Sequence, residues 1–244
     1  MASARILAVN TATAHENRIH SDDIASVYGF QGGLVPGVNV YGYMTEPVLR
    51  HFGEQWLECG WMRFRLTAPF YDGETVIVET DGASVSAKDA QGQLRASGTV
   101  GLTSDIGNAA ERPAVPPQLR LPADRPPISE AVLSAGMALG SLDVCFPGDP
   151  RPDELLSLAN DILVRNFIMP AWIHVASDVQ HHRRIAANEP VQVRGTIADL
   201  FVRKGHNFLT ADVTILNRRG QRAQTVRHTA IWRLRPSSHR AANS

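Results

Sequence analysis

"MRFRLTAPFYDGETVIVET", Met62 to Thr80, finds a counterpart later in the same chain, "SDVQHHRRIAANEPVQVRG", Ser177 to Gly195. Laid against each other, Glu74 meets Glu189, and Val76 and Val78 meet Val191 and Val193. Each stretch ends in alternating apolar residues, the mark of a half-buried strand. Trp56 and Trp172 stand close to register just upstream. Further strands follow in both parts: "QLRASGTVGLT" after the turn Gln91-Gly92, then "HNFLTADVTILN", then "QRAQTVRHTAIWRL" after Arg219-Gly220. The chain reads as an internal repeat.

Upstream of the aligned strands each part has one helical stretch. In the first it is "GVNVYGYMTEPVLRHFG", starting at Gly37. In the second it is "RPDELLSLANDILVRNF", where Pro152, Asp153 and Glu154 suit a first helical turn. Leu155, Leu158, Ala159, Ile162 and Val164 give that helix a wide apolar face. The repeated unit is a strand or loop, one long helix, then three or four antiparallel strands. That order predicts an α+β fold with a sheet wrapped around each central helix. Two such units side by side would join edge strands into one continuous sheet and leave fewer free edges.

Between the halves lies "NAAERPAVPPQLRLPADRPP", rich in Pro and poor in aromatics, which reads as an extended linker or surface crossing. The expected division is a first domain over 1–107, a linker over 108–127, a second domain over 128–235 and a polar, frayed tail over 236–244. The 244 residues, 43% hydrophobic and 20% charged, fit a soluble globular protein. Net charge is +0, so no broad nucleic-acid footprint is expected. Cys59 and Cys145 lack metal-like spacing, and His181 and His182, adjacent on a strand, point to opposite faces, so no metal site is expected. The start lacks a long apolar stretch and no apolar run could span a bilayer, so the expected location is cytoplasmic, away from membranes.

"NRIHSDDIASVYGF", Asn17 to Phe30, resembles the hydratase segment of the MaoC-like, R-specific enoyl-CoA hydratase proteins. Asn17, Ile19, His20, Asp22, Ala25, Gly29 and Phe30 match in type and order. "RLTAPFYDGETV" resembles a later strand of the same family, with its Pro, Gly and acid. The resemblance covers the first half well and the second only in element order. It implies a double hot-dog fold. It also has gaps. The family's catalytic Asp falls at His15, its Pro at Arg18, and its His-Gly at Pro36-Gly37, while the second half shows "EAVLSA" where the motif would lie.

What the resemblance implies is water addition to, or removal from, an acyl thioester. A base must activate water, a proton must be exchanged at Cα, and the thioester oxygen needs pre-aimed donors. His20 is the expected base, since its unperturbed pKa of about 6.5 lies near working pH. The Gly37 N–H, at a helix start, could face the thioester oxygen, because Gly allows close approach and the helix dipole favours negative charge. Asn17 would orient the water or the loop. His15 could take the vacant acid's role, whereas Glu16 would point to the opposite side.

Other residues offer rival chemistry. Asp161 resembles, by position, the helical Asp of acyl-CoA thioesterase II-type double hot-dogs, with His174 and Arg227 where that family has a hydroxyl residue and a Gln. It could hold an attacking water, or be a satisfied acid between the halves with His174 or Arg227 as partner. Arg203 and Lys204, at the tip of "FVRKGHNF", could contact coenzyme A phosphates or simply solvate a hairpin turn. Tyr41 could line the core or an acyl tunnel. The expected activity is therefore hydratase/dehydratase chemistry on a 2-enoyl/3-hydroxyacyl thioester. Thioester hydrolysis through Asp161 and non-catalytic acyl-thioester binding are the alternatives. The expected partner is a small-molecule thioester, its coenzyme A or carrier protein part of the substrate, with no separate cofactor; a homodimer is a possible assembly.

Overall fold

The computed structural model describes residues 2–103 and 114–235. The first half contributes β1 (Ala2–Leu7), α1 (Asp22–Val27), α2 (Gly37–Phe52), α3 (Trp56–Cys59), β2 (Gly60–Leu66), β3 (Thr75–Thr80), β4 (Ser84–Lys88) and β5 (Leu94–Leu102). The second contributes β6 (Leu142–Cys145), α4 (Pro152–Asn166), β7 (Ile173–His181), β8 (Pro190–Arg203), β9 (His206–Asn217) and β10 (Arg222–Arg233). Among the described residues all strands join one 10-stranded sheet in the order β1-β3-β4-β5-β2-β7-β10-β9-β8-β6. Read from either edge the order is the same once β6 stands for β1, β8 for β3, β9 for β4, β10 for β5 and β7 for β2. The duplication seen in the sequence is thus a duplication in space.

The seam is the antiparallel pair β2–β7, in register from Trp61 opposite Gln180 to Arg65 opposite Ala176. Alternation decides which side each residue takes. Met62, Phe64 and Val179 are buried beneath the sheet, whereas Arg63 and Arg65 face outward. The two long helices pack against each other on the buried side. A Cβ on Gly42 of α2 would come within 2.9 Å of the Asp153 Cβ on α4, so the close approach requires the glycine. Helix α2 stops at Gly53, whose φ of +70° ends the helical path while its N–H reaches the Leu49 carbonyl. One continuous core holds Tyr41, Met44, Val48 and Phe64 with Leu156, Ile162 and Leu163. Each such side chain contributes about 1.5–3 kcal/mol relative to exposure, so neither half is expected to keep its apolar face dry alone.

Residues 114–127 have no regular structure and run along the second half. Ser141 N–H donates to the Leu119 carbonyl (2.8 Å), and Arg125 bonds both Glu16 (2.8 Å) and the Val164 carbonyl. Residues 108–113 of the expected linker, the end of the first domain and the whole expected tail lie outside the described residues.

Candidate active site

The segment from Ala8 to Pro36 carries His15, Asn17 and His20, and the helix after it carries Gly37 and Tyr41. Asn17 caps a short 3-10 turn, Arg18–His20, with its Oδ1 accepting from the Ile19 N–H at 3.4 Å. The same oxygen accepts from the Trp172 N–H (3.1 Å), and Asn17 Nδ2 donates to the Trp172 carbonyl (3.0 Å). One donor and one acceptor of a single residue in the other half therefore fix which way this buried amide points. Asn17 Nδ2 also lies 3.2 Å from His20 Nε2.

His20 Nδ1 lies 2.7 Å from the Leu34 carbonyl. A carbonyl only accepts, so Nδ1 carries the proton and Nε2 keeps a lone pair. The contact to Asn17 Nδ2 agrees with that tautomer. Burial lowers the His20 pKa below its ordinary 6.5, the Leu34 carbonyl opposes this, and the nearby charge of His15 adds a little to the lowering. The ring is neutral and basic at neutral pH.

His20, Asn17 and Gly37 share a cavity of about 190 Å³, walled by apolar side chains that include Phe30, Leu66, Trp172 and Ile231. Pro36 precedes Gly37, and its carbonyl takes the N–H groups of Asn39 and Val40. Gly37, the first helical residue, has no intrahelical carbonyl for its own N–H. The second half supplies the opposite wall, including Asn160 from α4 and His174 from β7. From the sequence, His174 is expected only beside Asp161, in the thioesterase alternative or as that acid's partner, and Asn160 is not among the expected residues. A sequence signal for Asn160 is the polar pair Asn160-Asp161 inside an otherwise apolar helix.

The remaining candidates stand elsewhere. His15 is exposed, and its Nδ1 accepts the Asn17 N–H at 3.0 Å; it shapes the loop and does not line the cavity. Glu16 turns outward to Arg125, so no carboxylate of this segment reaches His20 from the position the resemblance leaves empty. Tyr41 corrects its expected role in binding: it is fully buried and stacked on Phe64, 5.1 Å between centroids, in the core. Asp161 sits half-buried on α4, off the cavity wall, because its neighbour Asn160 takes the inward position about 100° around the helix. Burial raises the Asp161 pKa, opposed by the charges of His15 and Arg165. Its expected partners are engaged elsewhere: His174 bonds Ser177 (2.9 Å), and Arg227 grips Asp212 through two bonds of 2.8 and 2.9 Å.

Arg203 and Lys204 lie at the β8–β9 hairpin tip, where positive φ at Lys204 (51°) and Gly205 (79°) makes the tight turn. They border a second, larger groove of about 1260 Å³ on the outer face of the sheet, with Arg63 and Arg65. Leu66, Thr67, Val175 and Ile231 line both groove and cavity, so the two spaces adjoin. Among the described residues no three His, Cys, Asp or Glu side chains converge as metal ligands, and no helix is long and apolar enough to cross a membrane.

No protein-family model matches the chain, and no curated protein matches its sequence. Solved structures do match. A protein of Chloroflexus aurantiacus assigned as a MaoC-domain dehydratase superposes with a TM-score of 0.64 at 11% identity, covering 96% of this chain and 94% of its own. A conserved Mycobacterium tuberculosis protein described as a double hot-dog gives 0.64 at 14% identity, with 93% of each chain covered. An acyl-CoA thioesterase II of Mycobacterium marinum gives 0.55 at 13% identity, over 83% of this chain and 90% of its own. The palindromic sheet and the two paired helices agree with these likenesses: the chain is a double hot-dog protein.

Proposed function

We propose that the protein is a MaoC-like enzyme that adds water to a 2-enoyl thioester or removes it from a 3-hydroxyacyl thioester. The observation that carries this reading is the pairing, in one mainly apolar cavity, of a neutral His20 with its lone pair on Nε2 and the free N–H of Gly37 at the start of a long helix. Likeness to folds that include an assigned dehydratase and a thioesterase supports acyl-thioester processing in general.

In hydration, His20 Nε2 takes a proton from water as the water oxygen bonds to Cβ. The Cα=Cβ π pair moves toward the thioester, whose oxygen becomes an enolate facing the Gly37 N–H. The enolate collapses as Cα takes a proton back from the His20 imidazolium, which restores the neutral base. One imidazole can thus serve both steps where the family's carboxylate is absent. Water competes with Asn17 Nδ2 for the Nε2 lone pair, and the 3.2 Å contact is at the long end for a hydrogen bond. Arg203 and Lys204 would meet the phosphates of coenzyme A or of a carrier-protein arm in the adjoining groove. No step calls on a metal or redox cofactor.

Following the enoyl-thioester absorbance of crotonyl-CoA, together with free thiol, tests the reading. Loss of absorbance without thiol release is expected, with His20→Ala about 10²- to 10⁴-fold slower. Thiol release abolished by Asp161→Asn would replace hydration with hydrolysis. Ligand-dependent thermal stabilisation without turnover would make the protein a binder. Because burial lowers the His20 pKa, the acid limb of kcat/KM should be centred below pH 6.5. An acid limb centred above 6.5 would contradict the assignment.

A further inference from the structure

His174 is 5% exposed and lines the cavity, yet its Nδ1 has no protein partner. Its other nitrogen begins a sealed chain: Nε2 lies 2.9 Å from Ser177 Oγ, which lies 3.0 Å from His228 Nδ1. The two rings lean on each other with centroids 4.2 Å apart, and His228 Nε2 is buried without a partner. Ser177 has a single hydrogen to give. If it goes to His228, then His228 must carry its own proton on Nε2, leaving an N–H sealed in the core with nothing to accept it. If it goes to His174 Nε2, then His228 Nδ1–H donates to Ser177 and only a bare acceptor is sealed. Buried orphan N–H groups are the rarer of the two. The second arrangement puts a proton on His174 Nδ1, the ring nitrogen turned away from Ser177. That nitrogen also lies against the start of α2, since a Cβ on Gly37 would come within 2.7 Å of it.

We propose that His174 presents its Nδ1–H to the carbonyl oxygen of the bound thioester, as a second donor beside the Gly37 N–H, with Ser177 and His228 holding it in that tautomer. The proposal rests on the thioester reading above. The ring acts without changing charge: burial holds its pKa down to about 3, against a weaker opposing effect of the Ala176 backbone, so it donates as a neutral imidazole throughout the working range. The site is then built from both halves, a base from the first and one oxyanion donor from each.

Two substitutions separate the ring nitrogens. His174→Asn leaves an amide near the Nδ1 position and abandons Ser177. His174→Gln reaches Ser177 and abandons the cavity. With crotonyl-CoA, His174→Gln should lower kcat about 10²- to 10³-fold, the usual cost of one oxyanion donor, with a much smaller change in KM. His174→Asn should retain most of the turnover. Equal losses in the two variants would overturn the donor role. A measurement independent of turnover is histidine ¹⁵N resonance in the full chain. His174 should show its proton on Nδ1 in the free protein, and that resonance should move on adding the ketone analogue 2-oxopentyl-CoA. A proton on Nε2, or an Nδ1 signal unmoved by an analogue that stabilises the fold, would overturn the proposal. An inert wild type whose Nδ1–H still shifts with the analogue would sink the hydratase reading and uphold the donor.

Discussion

Between its first strand and its long helix the first half spends everything from Ala8 to Pro36, while the second half makes the same connection with Phe146 to Arg151. The frame around both is the same. What differs is a few positions at matching places. The helix begins at Gly37 in one half and at Pro152 in the other, which has no N–H to offer. On the strands, Met62 faces Val100 where the second half sets Ser177 opposite His228. One half thus carries a half-buried histidine beside a free helix N-terminus, and the other keeps His174, His181 and His228 inside the wall. The comparison teaches that a duplicated fold need not duplicate its cavity: one copy grows the loop that holds His20, the proposed base, while the other supplies the opposite wall.

The largest expected consequence of this division is acid lability. His174 and His181 are each held to about pKa 3 by burial, and His228 lies well below its ordinary value for the same reason. Near pH 5 the unfolded chain binds these protons and the folded chain does not, so stability rises with pH between about 3 and 6.5 and falls as the solution is acidified. Three sealed imidazoles give a slope of up to about 4 kcal/mol per pH unit. Denaturant unfolding at pH 7.5, 6.5 and 5.5 should show it. Replacing His181 should remove about one proton's share, and a slope left unchanged by that substitution would break the contrast between the halves.

A smaller effect compares the helix starts. Gly37→Ala places a methyl 2.5 Å from Leu66 Cδ1 and 2.7 Å from His174 Nδ1. It should cost about 1–3 kcal/mol of stability and most of the turnover. Pro152→Ala should leave turnover in place, because no reacting group is assigned there. Thermal melts and crotonyl-CoA rates on both variants settle whether the asymmetry is functional.

The smallest concerns the paired hairpins. The first-half tip carries Asp81, whose carboxylate is held near pKa 2 by the Ser84 and Ala83 N–H groups, and the second-half tip carries Arg203 and Lys204. Neutralising both cations should raise the KM for a coenzyme A thioester about fivefold at low salt and less at high salt. Asp81→Asn should leave KM alone, and a salt-independent KM in the wild type would remove these cations from the substrate's path.

Much of this frame was legible in the sequence. The match of Glu74, Val76 and Val78 to Glu189, Val191 and Val193 exposed the repeat because strand alternation survives drift in the individual side chains. His20, Asn17 and Gly37 were legible because one continuous segment and the helix after it carry them. Asn160 was not, and His174 was legible beside Asp161 and not opposite His20, since both share the cavity with His20 only through the β2–β7 seam and the packing of α2 on α4, which no local pattern encodes. Asp161 stands one helical step away from the cavity wall, a difference that the sequence pattern of an apolar helix with two adjacent polar residues does not resolve. Tyr41 was ambiguous because a tunnel lining and a core position share the same apolar spacing.

Asn17 carries a consequence of its own. Beyond its contacts to Ile19 and His20, its amide is held by Trp172, in the other copy, which offers both its N–H and its carbonyl. The residue that sets the 3-10 turn, and with it the pose of His20, is therefore an interlock between the two copies. Partial opening of the seam would free His20 from its register before any strand is lost, so the proposed base is set by the closure of the fused pair, and the integrity of that pair is read out in the surroundings of a single imidazole.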